Sequence, residues 1–300
     1  MPINWNGVFP AVTTKFTADH KLDIPAFVHN LKAQIDAGIH GIIIGGSLGE
    51  ASTLKHTERM ELLAAALEVS QGRVPVLMNI AERSTEDAIE LAHLSQKNGA
   101  EGLMLLPPMQ YKAGEREVVT FLGTVAQSTS LPIMLYNNPV DYKIALTIPM
   151  LEELVQHDNI EAIKASSRDI TNITRIKNAL GDRLKILCGV DTIALECLAS
   201  GADGWVAGLV NAFPRETVAI YHLVKAGKIE EALPLYRWFM PLLELDIHPK
   251  LVQYIKLAEV ATGLGTEHVR PPRLPLIGEE RAHVQKIIQT SLENRPVVPA

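Results

Sequence analysis

Lys164 ends an apolar, β-branched run, Ile160-Glu161-Ala162-Ile163-Lys164. Such a run reads as a strand, and a strand buried on both faces has no ordinary use for an amine. One reading is a side chain that snorkels to the rim. The other is an amine held in an apolar pocket to attack a carbonyl. To attack, it must be neutral. At its ordinary pKa roughly one lysine in 2,500 is neutral at pH 7. Bringing the pKa down to near 7 costs about 4 kcal/mol, which burial in an apolar strand can supply.

Three further segments carry groups that suit the same chemistry. Residues 45–50 (GGSLGE) follow an apolar run. Glycines such as Gly46 let backbone N–H groups approach an anion, for example a carboxylate, and Ser47 adds a hydroxyl. Tyr136-Asn137-Asn138-Pro139 ends another apolar run. A tyrosine there is either amphipathic packing or a proton carrier. Cys188-Gly189-Val190-Asp191 ends a third. Asp191 either caps the next helix or accepts a hydrogen bond from a substrate hydroxyl. A lysine, a tyrosine, a hydroxyl and an anion-friendly loop together suit Schiff-base chemistry on a 2-keto acid or its cyclic imine.

Other classes fit less well. The ten histidines are scattered, and none falls at the C-terminal end of an expected strand. A metal-dependent aldolase would want several there, so no metal is expected. There is no Walker loop or dinucleotide fingerprint, and no cofactor is expected. The chain of 300 residues is 47% hydrophobic with a formal net charge of -6 spread without blocks, which suits a large core and no nucleic-acid partner. Its two cysteines, Cys188 and Cys197, make no disulfide framework and read as core thiols. Residues 1–7 lack a basic stretch followed by an apolar one, and no apolar run is long enough to span a membrane. A cytoplasmic protein without a membrane partner is the expectation.

The elements that must position these groups alternate along the chain. Strands are expected over 7–14, 40–44, 75–80, 102–106, 132–136, 160–164, 184–188 and 204–207. Helices are expected over 25–37, 57–70, 84–98, 115–128, 149–157, 170–180 and 192–199, with an eighth after Pro214. A weak repeat supports the count: Asp36-Ala37-Gly38-Ile39-His40-Gly41, Lys97-Asn98-Gly99-Ala100-Glu101-Gly102 and Ala199-Ser200-Gly201-Ala202-Asp203-Gly204. Each is a helix end, a glycine at a C-cap position, and a tight return to a strand. Eight such units fit a (β/α)8 barrel, in which chemistry sits at the C-terminal ends of the strands. A doubly wound sheet is the alternative, but usually has fewer strands and a Gly-rich dinucleotide turn. Residues 1–226 are read as the barrel and 227–300 as a helical extension packed on it. Pro234 and Pro241 are expected to kink or interrupt the extension's first helix. Two more helices are expected over 251–261 and 279–292.

These motifs resemble the dihydrodipicolinate synthase / N-acetylneuraminate lyase family of class I aldolases. The match runs over almost the whole chain: GVFPAVTTKF from Gly7, GGSLGE from Gly45, YNNP from Tyr136, IKASSRD from Ile163, GVD from Gly189 and GADGWVAG from Gly201. The resemblance implies a barrel with a helical extension, a small keto-acid substrate and a homotetramer built as a dimer of dimers. It implies that Lys164 forms the Schiff base and Tyr136 is the general acid/base. Ser47 then stands for the first hydroxyl of the proton relay. The backbone of Ser47 and Leu48 binds the substrate carboxylate, and Gly189 and Val206 line the pocket.

The departures from that family also carry information. Leu48 replaces a second loop hydroxyl. Gln110 stands where the neighbouring subunit usually lends a relay tyrosine, with Tyr111 one residue on. Dihydrodipicolinate synthases carry an arginine soon after the YN-P motif, whereas this chain has Asp141, which argues against lysine biosynthesis. VFPAVTTKF, YNNPVDYK, NAFPRE and WFMPLLELD look most similar to the 1-pyrroline-4-hydroxy-2-carboxylate deaminases of hydroxyproline breakdown. In that branch Asn138, Asp141 or Asp191 would contact the substrate hydroxyl. Alternative readings are a 2-keto-3-deoxy sugar acid dehydratase or aldolase, a dihydrodipicolinate synthase, and a non-catalytic keto-acid sensor.

Overall fold

Eight short apolar segments lie side by side, each parallel to its neighbours. A computed structural model of the protein describes residues 3–298. The strands are β1 (Gly7–Pro10), β2 (Ile42–Ile44), β3 (Val76–Ile80), β4 (Gly102–Leu105), β5 (Ile133–Asn137), β6 (Ile160–Ala165), β7 (Lys185–Cys188) and β8 (Gly204–Ala207). They pair in the order β1-β8-β7-β6-β5-β4-β3-β2. A parallel bridge from Ala11 to Ile43, with Val12 N–H donating to Ile43 O at 2.9 Å, closes β1 onto β2. The result is the (β/α)8 barrel.

The outer ring is α1 (Ile24–Asp36), α2 (His56–Ser70), α3 (Thr85–Lys97), α4 (Glu115–Gln127), then, beyond a one-turn α5 (Pro139–Tyr142) at the barrel mouth, α6 (Ile148–Leu154), α7 (Thr171–Leu180), α8 (Ala194–Ala199) and α9 (Pro214–Lys225). The repeated αβ turns work as their spacing implies. Gly38, Gly99 and Gly201 have φ of 89°, 91° and 102°, a conformation open to glycine and strained for other residues.

Several elements differ from the sequence-based expectations. β1 stops at Pro10, because beyond the Ala11 bridge the backbone turns to other partners. Thr13 N–H donates to Asn211 Oδ1 at 3.2 Å, and Thr14 Oγ1 donates to Gly49 O at 2.6 Å. The helix expected over 192–199 begins as a 3-10 turn, Asp191–Ile193. After β5 the chain forms the short helix α5 where a loop was expected, and Asn138 caps it.

Three helices follow: α10 (Ile229–Leu243), α11 (Leu251–Ala261) and α12 (Gly278–Glu293). Neither proline interrupts α10. Its apolar face (Ala232, Leu235, Tyr236, Phe239, Leu242, Leu243) is buried, and that packing carries the helix past two missing N–H donors. Between α10 and α11 a 3-10 segment, Glu244–Ile247, turns over the barrel mouth. Buried ion pairs fasten α11 to the loops after β1 and β2: Lys15 to Glu259 at 3.0 Å and Lys256 to Glu50 at 2.5 Å. Cys188 and Cys197 are both buried. Among the described residues, no helix is long and apolar enough to cross a membrane.

Candidate active site

Lys164 and Tyr136 are register partners on adjacent strands, β6 and β5. A local irregularity makes them so. Ile133 pairs with Ile160, but Met134 pairs with Ala162, which leaves Glu161 over. Without that shift Tyr136 would face Ile163, whose side chain points to the other side of the sheet. Glu161 is turned outward, where it accepts a hydrogen bond from Trp5 Nε1 at 2.7 Å. Both functional side chains therefore enter the barrel, and the Lys164 amine lies 4.1 Å from the centre of the Tyr136 ring.

They sit in a cavity of about 450 Å³ at the C-terminal ends of the strands. Lys164 is only 7% exposed. Burial lowers its pKa, and the opposing pull of Tyr142, Asp246 and Asp191 is weaker. Among the described residues no carboxylate pairs with its amine. Gly189 makes room for the lysine: a Cβ there would lie 2.7 Å from Lys164 Cε and Cγ.

Tyr136 keeps its proton at neutral pH. Burial pushes its pKa up to about 12, although Asn138 hydrogen-bonds its hydroxyl and Ser166 lies beside it. Its ring meets Tyr142 edge-on at 5.6 Å between centroids. The Tyr142 hydroxyl lies 2.6 Å from Ser47 Oγ. Burial raises the pKa of Tyr142 as well, so this hydroxyl is also protonated. Gly46, Ser47 and Leu48 line the wall below. Among the described residues, no acceptor in the chain takes the N–H of Ser47 or Leu48. These donors are free for an anion.

The remaining expected site residues divide in two. Gly189, Val206 and Asp141 line the cavity. Asn138 lines it too, but both its amide hydrogens are engaged. Nδ2 donates to Tyr136 Oη at 3.1 Å and to Asp141 Oδ2 at 2.7 Å. Its Oδ1 accepts from Asp141 N–H at 3.1 Å, which caps α5. Asn138 therefore positions its neighbours and is not a free donor to substrate. Asp191 corrects a second expectation, because it neither lines the cavity nor caps the helix after β7. It is fully buried beneath the site. Its carboxylate accepts from Trp205 Nε1 at 2.8 Å, Gly208 N–H at 3.1 Å and Leu209 N–H at 2.8 Å. Those bonds tie β7 to the turn after β8.

Sequence reasoning missed Tyr142, Ser166, Arg168 and the extension residues Asp246, Ile247 and His248, which line the same cavity. The available signals were that Tyr142 follows the YNNP motif, that Ser166 and Arg168 lie within IKASSRD, and that Asp246 ends WFMPLLELD. Gln110 borders a second cavity that shares Ser47 and Tyr142 with the first, and Tyr111 is 56% exposed.

Comparison with known proteins agrees with this fold. The family model described as "Dihydrodipicolinate synthetase family" matches residues 4–291. A 4-hydroxy-tetrahydrodipicolinate synthase from Exiguobacterium sibiricum is 31% identical over 297 residues, covering 98% of this chain and 99% of that protein. A dihydrodipicolinate synthase from Bacillus anthracis superposes with a TM-score of 0.92 at 27% identity, over 96% of this chain and 99% of that one. YagE, a prophage protein of the dihydrodipicolinic acid synthase family from E. coli K12, solved in complex with pyruvate, gives a TM-score of 0.90 at 28% identity, over 96% and 99% of the two chains. The chain belongs to the dihydrodipicolinate synthetase family, and that membership supports a class I aldolase-type lyase.

Proposed function

We propose that the protein is a Schiff-base-forming deaminase that converts 1-pyrroline-4-hydroxy-2-carboxylate and water to 2,5-dioxopentanoate and ammonia. The observation that carries the reading is the Lys164 amine over the Tyr136 ring at 4.1 Å, in a cavity whose rim holds Asp141. The family resemblance would put an arginine at that rim position in a dihydrodipicolinate synthase.

The chemistry follows from the residues. The substrate carboxylate meets the N–H groups of Ser47 and Leu48. The neutral Lys164 amine adds to C2 of the cyclic imine. The ring nitrogen leaves C2 as an amine on C5, and a lysine iminium remains. Tyr136 passes the protons these steps need, through Ser47 to Tyr142. The iminium draws electrons from C3, so a proton leaves C3 and the hydroxyl leaves C4 as water. Proton shifts move the new double bond to the amino-bearing C5. One water then releases ammonia from C5, and a second frees Lys164 from C2. One water leaves and two enter, which balances the overall reaction.

The names of the relatives favour a second reading, formation of 4-hydroxy-tetrahydrodipicolinate. Arg168 at the cavity mouth is a cation for a second carboxylate in that case. Ammonia release from the 4-hydroxy pyrroline carboxylate separates the two. The deaminase gives rapid ammonia that Lys164→Ala abolishes. Absence of ammonia, with synthase activity present, replaces the first reading by the second. We also propose a homotetramer, which light scattering of the purified protein tests.

A further inference from the structure

We infer that Asp246, carried over the barrel mouth by the helical extension, is the acid that gives a proton to the departing substrate hydroxyl. The inference rests on the deaminase reading above and assigns a step for which Tyr136 is poorly suited.

The first observation is where Asp246 stands. It lies on the 3-10 segment Glu244–Ile247 and lines the same cavity as Lys164. Tyr136 approaches the lysine from β5, directly beside β6. Asp246 approaches from above β8, two strands to the other side of β6. A substrate joined to Lys164 thus has proton-handling groups on two sides. The reaction needs two, because C2 and the C4 hydroxyl are different places on the molecule.

The second observation is what lets Asp246 in. Gly208 has φ -97° and ψ -53°, which any residue can adopt. Its backbone therefore does not require glycine, but a side chain there would have to displace Asp246. A Cβ at Gly208 would lie 2.3 Å from Asp246 Oδ1 and 3.0 Å from its Cγ. The missing side chain is the space that the carboxyl group fills.

The third observation is chemical. Burial, with the nearby Asp191 and Asp141, pushes the Asp246 carboxyl well above the usual carboxylate range, and Lys164 pulls the other way. Arg168 and His248 also line the cavity. A carboxyl group whose pKa burial has raised holds its proton more readily than an exposed carboxylate, and it remains a better acid than a tyrosine held near 12. Asp141 does not compete for the role, because it is exposed and Asn138 holds its carboxylate. In the step itself the Asp246 proton goes to the hydroxyl oxygen as the C4–O bond breaks and water departs. The carboxylate then takes a proton from C5, which restores the acid and moves the double bond toward the amine.

The test compares wild type, Asp246→Asn and Gly208→Ala, each given the 4-hydroxy pyrroline carboxylate, then borohydride, then mass analysis of the Lys164 peptide. Ammonia release is measured in parallel. For D246N we expect ammonia release to fall about 100-fold or more, with an adduct on Lys164 that still holds its hydroxyl oxygen. G208A, which must displace the carboxyl, is expected to accumulate the same adduct with about a tenfold loss. Both variants should still form an adduct with pyruvate, which has no hydroxyl to lose. Ammonia release by D246N within about threefold of wild type overturns the assignment. If D246N does not fold, G208A decides, and a dehydrated adduct at the wild-type rate overturns it. A wild-type enzyme that traps pyruvate but releases no ammonia removes the deaminase reading and this step with it.

Discussion

Ser47 and Tyr142 share a hydrogen bond of 2.6 Å between hydroxyls, and one chain supplies two tyrosines to the same cavity. Tyr136 faces Lys164, and Tyr142 meets both Tyr136 and Ser47. The family resemblance looks to a neighbouring subunit for the outer tyrosine, and this chain has Gln110 at the matching position. Tyr142 offers the missing hydroxyl from within the chain.

Tyr142→Phe keeps the ring packing and removes the hydroxyl. We expect kcat to fall by about 100-fold with KM changed little, because the relay serves proton transfer more than binding. Tyr111→Phe should leave kcat within about threefold, since that side chain is exposed. Steady-state kinetics on both variants checks this. The reverse pattern would return the relay to a second subunit.

The rate should rise with pH on the acid side. Burial holds the Lys164 pKa below its ordinary value of 10.5. As pH falls through that lowered pKa the amine gains a proton and attack stops. As pH rises above it, the neutral amine predominates and amine attack levels off, and the rate falls again once Asp246 loses the proton it must give. Tyr136, pushed up to about 12, stays protonated throughout and sets no limb near neutrality. A pH profile of kcat/KM that is flat down to the carboxylate range would show that the amine is not the group that must lose a proton.

Lys256 and Glu50 are both fully buried and pair at 2.5 Å between α11 and the loop after β2. Lys256→Met leaves the Glu50 carboxylate without its lysine, though Arg270 N–H still reaches it at 3.1 Å and Arg273 Nη1 lies 3.9 Å away. We expect a loss of about 3 kcal/mol in urea unfolding, because a buried charge that loses its main partner is costly even where a weaker one remains. Adding Glu50→Gln should recover part of that loss. A single variant as stable as wild type would mean the extension is held by apolar packing alone.

The sequence was most legible where one residue type in one periodicity had one use. Lys164 stands out because an amine is out of place in a buried strand, and the αβ turns stand out because Gly38, Gly99 and Gly201 recur at one offset. Asn138 and Asp191 were legible as polar groups at strand ends, but their partners were not. Asn138 spends its donors on Tyr136 and Asp141, and Asp191 spends its oxygens on Trp205 and the turn after β8. Such pairings depend on how side chains meet across strands. Tyr142 lies on a helix of one turn, too short for any periodic signal. Asp246 ends the WFMPLLELD phrase, but it reaches the site only because the extension folds back over the barrel, a tertiary fact that the phrase does not reveal.

The central claim is that Lys164 forms the Schiff base. The most direct measurement is borohydride reduction of the protein with pyruvate, the simplest 2-keto acid, followed by peptide mass mapping. The account predicts a reduced pyruvate adduct on the peptide containing Lys164, absent in Lys164→Ala. An adduct on another lysine, or none on any, would contradict it.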